Sequence, residues 1–131
     1  HNTLAANTLA MVNAIKNGQV KVITHPCASA AVVDIETVAY EAIRHKVLLE
    51  INASHFRYPE LMDDGYFQRL QTMIKICQDH YHPMIIGSDA HFYSEVGDDA
   101  ALLKHFRELG INGDYIINND LQGVKEFFGV E

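Results

Sequence analysis

The chain has 131 residues and a formal net charge of −7, and 48% of its residues are hydrophobic while 21% are charged. This composition is typical of one globular domain with a substantial core, and it argues against a disordered chain. The acidic balance argues against direct binding to nucleic acid or to a membrane surface, because those partners call for clusters of lysine and arginine that the sequence lacks.

The sequence also predicts a cytoplasmic location. No apolar run approaches the roughly 18 residues that suggest a membrane span, and no basic-then-apolar signal segment opens the sequence. Cys27 and Cys77 lie far apart and outside any Cys-x-x-Cys motif, which favours reduced thiols. Because the sequence begins with His1 rather than methionine, we expect further residues upstream.

The spacing of apolar residues predicts alternating helices and strands. The first half is predicted to contain a helix over residues 7–16, a strand over 20–24, a helix over 34–45 with Asp34 as its N-cap, and a strand over 47–52. The second half is predicted to contain a loop over 53–64, a helix over 66–78, a strand over 83–88, a loop over 92–98, a helix over 99–109, a strand over 115–118, and a helix over 121–128 capped by Asn119 or Asp120.

This order indicates an α/β fold in which crossover helices connect parallel strands. A complete (β/α) barrel needs about 250 residues, roughly twice the present length. The segment is therefore expected to be either half of a barrel or a small open sheet.

The stretch 84–91 is the most informative part of the sequence. Three aliphatic residues and Gly87 predict a buried strand, which ends in Asp89 and His91. Because side chains alternate along a strand, residues two apart point the same way and can bind one metal ion. The structural alternative is that Asp89 is a turn or capping residue and His91 an ordinary loop histidine.

Sites in parallel α/β folds lie at the carboxyl ends of the strands, where loops lead into helices; we call this edge the rim. His25 and His55 follow predicted strands and are therefore placed at the rim with Asp89 and His91. By contrast, the pair His80 and His82 precedes a strand and is placed at the opposite edge. Two further residues are notable, because Glu50 interrupts an apolar strand and should have a partner, and Cys27 is either reactive, a ligand or an inert small residue.

Together these segments resemble a known family, the PHP (polymerase and histidinol phosphatase) domain. The likeness is to the C-terminal half of the domain and is closest to the small stand-alone bacterial phosphatases. It rests on the segments Ile23-Thr24-His25-Pro26, Leu49-Glu50-Ile51-Asn52 and Gly87-Ser88-Asp89-Ala90-His91, and it extends over nearly the whole chain.

The resemblance implies about half of a distorted (β/α)7 barrel with up to three divalent ions, zinc or manganese, at its rim. It implies that His25, Asp89, His91 and His1 bind metal, that the first three carry the catalysis, and that Glu50 lies beside the ligands without binding metal. The family's opening His-x-His, two later histidines and its bridging glutamate belong to an N-terminal half that this sequence lacks.

His55 and Arg57, in the loop after the second strand, are predicted to bind substrate phosphate, since arginine offers a bidentate fork. The alternative for both is a solvated loop. The expected partners are a phosphorylated small molecule and either a second copy of the chain or the missing N-terminal half of the domain.

Three functions follow from the sequence as hypotheses. The first is a metal-dependent phosphatase that hydrolyses phosphate monoesters, in which the present segment alone is weakly active or inactive. The second is a non-catalytic PHP-type module that binds a partner. The third is another barrel metallohydrolase, for example one that acts on amide bonds.

Overall fold

A computed structural model describes residues 3–131 of the chain. Helices alternate with parallel strands, so the predicted α/β class is confirmed. The main elements are α1 (Leu4–Lys16), β1 (Val22–Ile23), α2 (Ile35–His45), β2 (Leu48–Asn52), α3 (Ser54–Arg57), α4 (Tyr66–Asp79), β3 (Ile85–Gly87), α5 (Ala100–Leu103), α6 (Phe106–Leu109) and α7 (Leu121–Phe128). Short 3-10 turns occupy Ser29–Ala31, Pro59–Leu61, Tyr93–Glu95, Gly113–Tyr115 and Ile117–Asn119.

The sheet of the described residues has the order β1-β2-β3, with every pair parallel. Leu48 pairs with Val22 on one side of β2, and Asn52 pairs with Gly87 on the other side. The crossovers contain α2 and α4, as the alternating pattern predicts. Because the strands are parallel and in chain order, their carboxyl ends lie at one edge, which is the rim.

The two faces of β2 have different roles. Leu49 and Ile51 are fully buried in the main hydrophobic cluster, together with residues of α2 and α4. Since side chains alternate along a strand, Glu50 and Asn52 point to the opposite face. Both are nevertheless buried, so the sheet carries polar groups on its inner face close to the rim.

The long helices follow from apolar faces and suitable ends. In α2, Val38, Ala39 and Ala42 are fully buried, and the C-cap residue that follows the helix, Lys46, adopts the left-handed conformation. Asp34 is its N-cap residue as predicted, but its carboxylate accepts a hydrogen bond from the Thr37 hydroxyl, not from a backbone N–H group. In α7, the Asp120 side chain accepts a hydrogen bond from the Gly123 N–H group, which decides between the two predicted caps.

Two predictions for the second half were wrong in detail. The predicted loop over 53–64 contains α3, which begins where the Asn52 side chain accepts the Ser54 N–H group at 2.9 Å in an Asx-type turn. The predicted helix over 99–109 is broken into α5 and α6 at His105, whose ring packs against the rings of Phe56 and Phe67. The spacing of apolar residues within 99–109 did not predict this break, because the aromatic contacts at His105 involve residues from other parts of the sequence.

The predicted strand over 115–118 is reduced to one parallel bridge between Met84 and Ile116. 3-10 turns on both sides of Ile116 prevent a longer ladder. Instead, the side-chain amide of Asn118 accepts the Ile86 N–H group at 2.7 Å and donates to the Ile86 carbonyl at 3.0 Å. A side chain thus completes the edge of β3 where backbone pairing stops.

His82 lies at the edge opposite the rim, as the sequence predicts, and its Nε2 atom is 2.8 Å from the Val47 carbonyl just before β2. Cys27 and Cys77 are both free and buried. Within residues 3–131, no helix is long and apolar enough to cross a membrane.

Candidate functional site at the carboxyl rim

Hydrogen bonds join the ends of all three strands at the rim. The His25 N–H group, after β1, donates to Glu50 Oε2 of β2 at 2.7 Å. From the end of β2, the Asn52 side chain donates to Asp89 Oδ2, after β3, at 3.3 Å. The structure therefore brings His25, Glu50 and Asp89 into one network, although they are far apart in the sequence.

Glu50 occupies the centre of this network, and Gly87 provides the space for it. A Cβ atom at Gly87 would lie only 1.9 Å from Glu50 Oε1. The carboxylate also receives a weaker hydrogen bond from the Asn52 side chain at 3.4 Å. The expectation that Glu50 has a partner is confirmed, and its hydrogen-bond partners among residues 3–131 are a backbone N–H group and an amide.

Asn52 orients the neighbouring carboxylates. Its Oδ1 atom accepts both the N–H group and the hydroxyl of Ser54, at 2.9 and 2.6 Å. Because those donors fix the oxygen, the amide nitrogen must point toward Glu50 and Asp89. Sequence reasoning did not select Asn52 or Ser54 as site residues, yet the Glu-x-Asn spacing at the end of a buried strand was a usable signal.

Asp89 is held in an ionised form. Partial burial acts to raise the pKa of its carboxyl group, but hydrogen bonds from Asn52 and Ser54 and the nearby imidazoles of His91 and His25 outweigh it, so the pKa lies below its ordinary value. The backbone of Asp89 is in the left-handed region at φ 49°. This turn directs the chain away from β3 and leaves the side chain exposed at the rim.

His91 presents one ring nitrogen outward. Its Nδ1 atom lies 2.9 Å from the Asp89 carbonyl, which can only accept, so Nδ1 carries the proton. In the neutral ring the Nε2 atom therefore keeps its lone pair and can bind a metal. His25 is also exposed, and its ring makes no hydrogen bond to residues 3–131.

His55 lies buried behind these residues. Its Nδ1 atom is 3.1 Å from the hydroxyl of Tyr66, and the two rings pack with their centroids 4.8 Å apart. Burial lowers the pKa of His55, and the neighbouring His25 lowers it further, against the opposing effect of Asp89. His55 is therefore neutral near pH 7, and its predicted contact with substrate phosphate stays a prediction.

Arg57 is largely buried, and its guanidinium is engaged within the protein. One terminal nitrogen donates to the Asp98 carbonyl at 2.7 Å, and the other donates to the Ser88 carbonyl at 2.6 Å. The second nitrogen also lies 3.8 Å from Glu95 Oε2. Its predicted contact with substrate phosphate likewise stays a prediction, and these bonds give Arg57 a role inside the fold.

Cys27 shows the features of an inert residue. Its thiol is buried 3.9 Å from the Met73 sulfur, and burial raises the pKa of the thiol to about 12. A thiol that remains protonated near neutral pH is a poor nucleophile and a poor metal ligand. This favours the inert alternative among those that the sequence left open.

The donor types at the rim suit a divalent metal, because carboxylate and imidazole are ligands that zinc and manganese share. Among residues 3–131, however, no group of three or more His, Cys, Asp or Glu side chains is arranged to hold a metal ion. The donors His25, Asp89 and His91 thus form at most part of a metal site. The predicted ligand His1 lies outside the described residues.

Three relatives of the chain are named probable phosphatases. No protein-family model matches the chain. Over 121 residues, 92% of its length, the chain is 33% identical to a protein of Thermoanaerobacter sp. (strain X514) that is named a probable phosphatase, and it covers 48% of that protein. It is 32% identical over 123 residues to a probable phosphatase of Shewanella sp. (strain ANA-3), and 29% identical over 127 residues to one of Syntrophotalea carbinolica, covering 48% and 52% of these relatives. The chain thus spans about half the length of the curated relatives that it matches.

Proposed function

We propose that the chain forms part of a metal-dependent phosphatase of the PHP type, which hydrolyses phosphate monoesters of small molecules. The observation that carries this proposal is the ionised Asp89, held by Asn52 and Ser54 beside two exposed imidazoles at the rim. The similarity to proteins named probable phosphatases, which extends over most of the chain, supports the same class of reaction.

In this proposal His25, Asp89, His91 and His1 hold zinc or manganese. Bound divalent ions supply Lewis acidity to the phosphoryl group and lower the pKa of a bound water molecule. Asp89 contributes a negative charge whose direction is fixed by its hydrogen bonds. The Nδ1 contact of His91 fixes its ring so that Nε2 faces outward.

The proposal assigns the remaining donors to polypeptide beyond the described residues. Two facts support this assignment: residues 3–131 lack a group of three donors, and the chain spans about half of its relatives. Most family ligands would then come from the other half of a longer protein or from a partner. The present segment alone is accordingly expected to be weakly active or inactive.

The test compares Asp89→Asn with Asp79→Asn, in the native polypeptide supplied with zinc or manganese and p-nitrophenyl phosphate. Asp79 is an exposed carboxylate that pairs only with Lys75 on α4 among the described residues, so its variant is a matched control. Mutation of a residue that hydrogen-bonds to a metal ligand typically lowers metal affinity or activity roughly 10–100-fold. Loss of a ligand itself should therefore lower the activity at least as much. We therefore expect the native polypeptide to bind stoichiometric metal and to hydrolyse p-nitrophenyl phosphate. The activity should fall by that factor in Asp89→Asn and should be unchanged in the Asp79→Asn control. Native polypeptide without stoichiometric transition metal would contradict the proposal.

The second candidate is a non-catalytic module that supports a partner protein. The lack of a group of three metal donors within residues 3–131 is equally consistent with this module, so activity measurements must decide between the two. Persistent inactivity with full metal loading would favour this module over the phosphatase. Turnover of amide substrates without phosphate esters would instead favour another barrel metallohydrolase.

A further inference from the structure

The loop formed by residues 88–98, which carries Asp89 and His91, is held by polar contacts. Its large apolar side chains face solvent, with Phe92, Tyr93 and Val96 exposed by 68%, 95% and 74%. The only buried residue in the loop is a carboxylate, Glu95. Hydrophobic packing therefore does not fix the position of this loop, and the contacts of Glu95 must be considered instead.

Glu95 receives hydrogen bonds from two directions. The hydroxyl of Tyr58, which directly follows α3, donates to its Oε1 atom in a short contact. The N–H group of His91 donates to its Oε2 atom at 3.0 Å. The carboxylate therefore connects the backbone at His91 to a side chain anchored outside the loop.

Arg57 holds the same loop at both ends. It donates to the Ser88 carbonyl, next to Asp89, and to the Asp98 carbonyl at the far end. The planar guanidinium presents its two terminal nitrogens in a rigid fork, so it contacts both carbonyls at once with little loss of side-chain freedom. Its position 3.8 Å from Glu95 compensates the charge of that buried carboxylate.

We propose that Arg57, Tyr58 and Glu95 are positioning residues that fix the 88–98 loop and thereby the placement of Asp89 and His91. In this role they need no contact with the reacting groups, because they set the backbone from which Asp89 and His91 project. The consequence for catalysis rests on the proposed function, whereas the consequence for the loop does not.

The experiment measures backbone amide exchange in the native polypeptide for Glu95→Gln and Tyr58→Phe. The controls are Glu60→Gln and Tyr93→Phe, which make the same chemical changes at exposed positions. Because a hydrogen bond to a charged acceptor is stronger than one to a neutral acceptor, exchange at the His91 amide should rise about tenfold in Glu95→Gln. Removal of the phenol oxygen should raise it roughly threefold in Tyr58→Phe. The amide of Ile51 in β2 should be unchanged in all variants.

A second readout is the rate of p-nitrophenyl phosphate hydrolysis. If the proposed function holds, loop displacement should lower kcat about tenfold in Glu95→Gln with little change in KM, because misplaced groups affect the transition state most. If the native polypeptide hydrolyses no phosphate ester, the proposed function fails, while the amide exchange still decides the positioning role.

Unchanged exchange at His91 in both variants would overturn the inference. It would also be overturned if the Ile51 amide lost as much protection as that of His91, because the residues would then serve global stability. Should Glu95→Gln fail to fold, Tyr58→Phe decides the question, since it removes one oxygen atom at a half-exposed ring.

Discussion

At the scale of single residues, the arrangement of the rim depends on Gly87, which has no side chain. Gly87 leaves space for the Glu50 carboxylate, which accepts the His25 N–H group, and the Asn52 amide connects Glu50 to Asp89. His25 and Asp89 both adopt left-handed backbone angles, φ 35° and 49°, which are unfavourable for residues with a Cβ atom. The hydrogen bonds from β2 offset this local strain.

Replacement of Gly87 by alanine should disrupt this arrangement. The new methyl group would lie 1.9 Å from Glu50 Oε1, so the carboxylate must move. We expect the free energy of unfolding, measured with urea, to fall by about 1–3 kcal/mol, as overpacking usually costs. The control is Gly113→Ala, where the nearest atom is 3.4 Å away.

A double-mutant cycle identifies the cause of that cost. If the clash with Glu50 is responsible, Gly87→Ala should cost less in a Glu50→Ala background than in the wild type. Equal costs in the two backgrounds, or a loss no larger than that of Gly113→Ala, would show that Gly87 serves another purpose.

At the scale of elements, the sequence predicted the long periodic segments and missed the short ones. The helices α1, α2, α4 and α7 match their predicted positions to within a few residues. The first three contribute apolar residues to the core, and α7 begins at the Asp120 cap. The strands are shorter than predicted, and α3 and the α5–α6 break were missed, because side-chain contacts such as those of Asn52 and His105 determine them.

His82 joins two elements, and this contact gives a prediction for pH. It follows α4, and its Nε2–H group donates to the Val47 carbonyl just before β2. Burial lowers its pKa below the ordinary value of 6.5, although the hydrogen bond acts in the opposite direction. The unfolded chain therefore binds the proton more tightly than the folded chain.

The contribution of His82 to the free energy of unfolding should therefore be fully present above pH 6.5, the ordinary pKa of histidine. It should decrease as the pH falls below that value. The slope is at most about 1.4 kcal/mol per pH unit for one group, and His55 contributes in the same direction. Urea unfolding from about pH 7.5 to about pH 5.5 measures this dependence while carboxylates remain ionised.

His82→Gln tests the assignment, because glutamine keeps a donor but does not titrate in this range. Its pH dependence should be shallower than that of the wild type, whereas a control, His45→Gln at an exposed position, should not show this shallower dependence. Stability that rises on acidification, or the same slope in His82→Gln and in the wild type, would contradict the assignment.

At the scale of the whole molecule, the sequence predicted which strand ends meet but not how they are held. The α/β order and the rule that sites lie at carboxyl ends were enough to place His25, His55, Asp89 and His91 at one edge. The bonds of Arg57 to the 88–98 loop and the bond of Tyr58 to Glu95 could not be predicted, because they join residues 31 to 41 positions apart with no local pattern.

The same scale includes the open edge of the sheet. Within residues 3–131, β1 pairs only with β2, so its other edge has no neighbouring strand. The Lys21 carbonyl accepts the Leu48 N–H group, and because bonding direction alternates in a parallel pair, the N–H and carbonyl groups of Val22 point to the open edge. Such an edge favours pairing with another strand.

We therefore expect the chain by itself to self-associate. Sedimentation velocity would show this as a weight-average sedimentation coefficient that increases over a roughly hundredfold range of concentration. Val22→Lys should shift the distribution toward monomer, because a charged side chain on an edge strand opposes pairing. Val130→Lys makes the same change at an exposed position near the C-terminus and should behave like the wild type. A wild-type chain that remains monomeric throughout that range would show that the short edge of β1 is too small to recruit a second copy.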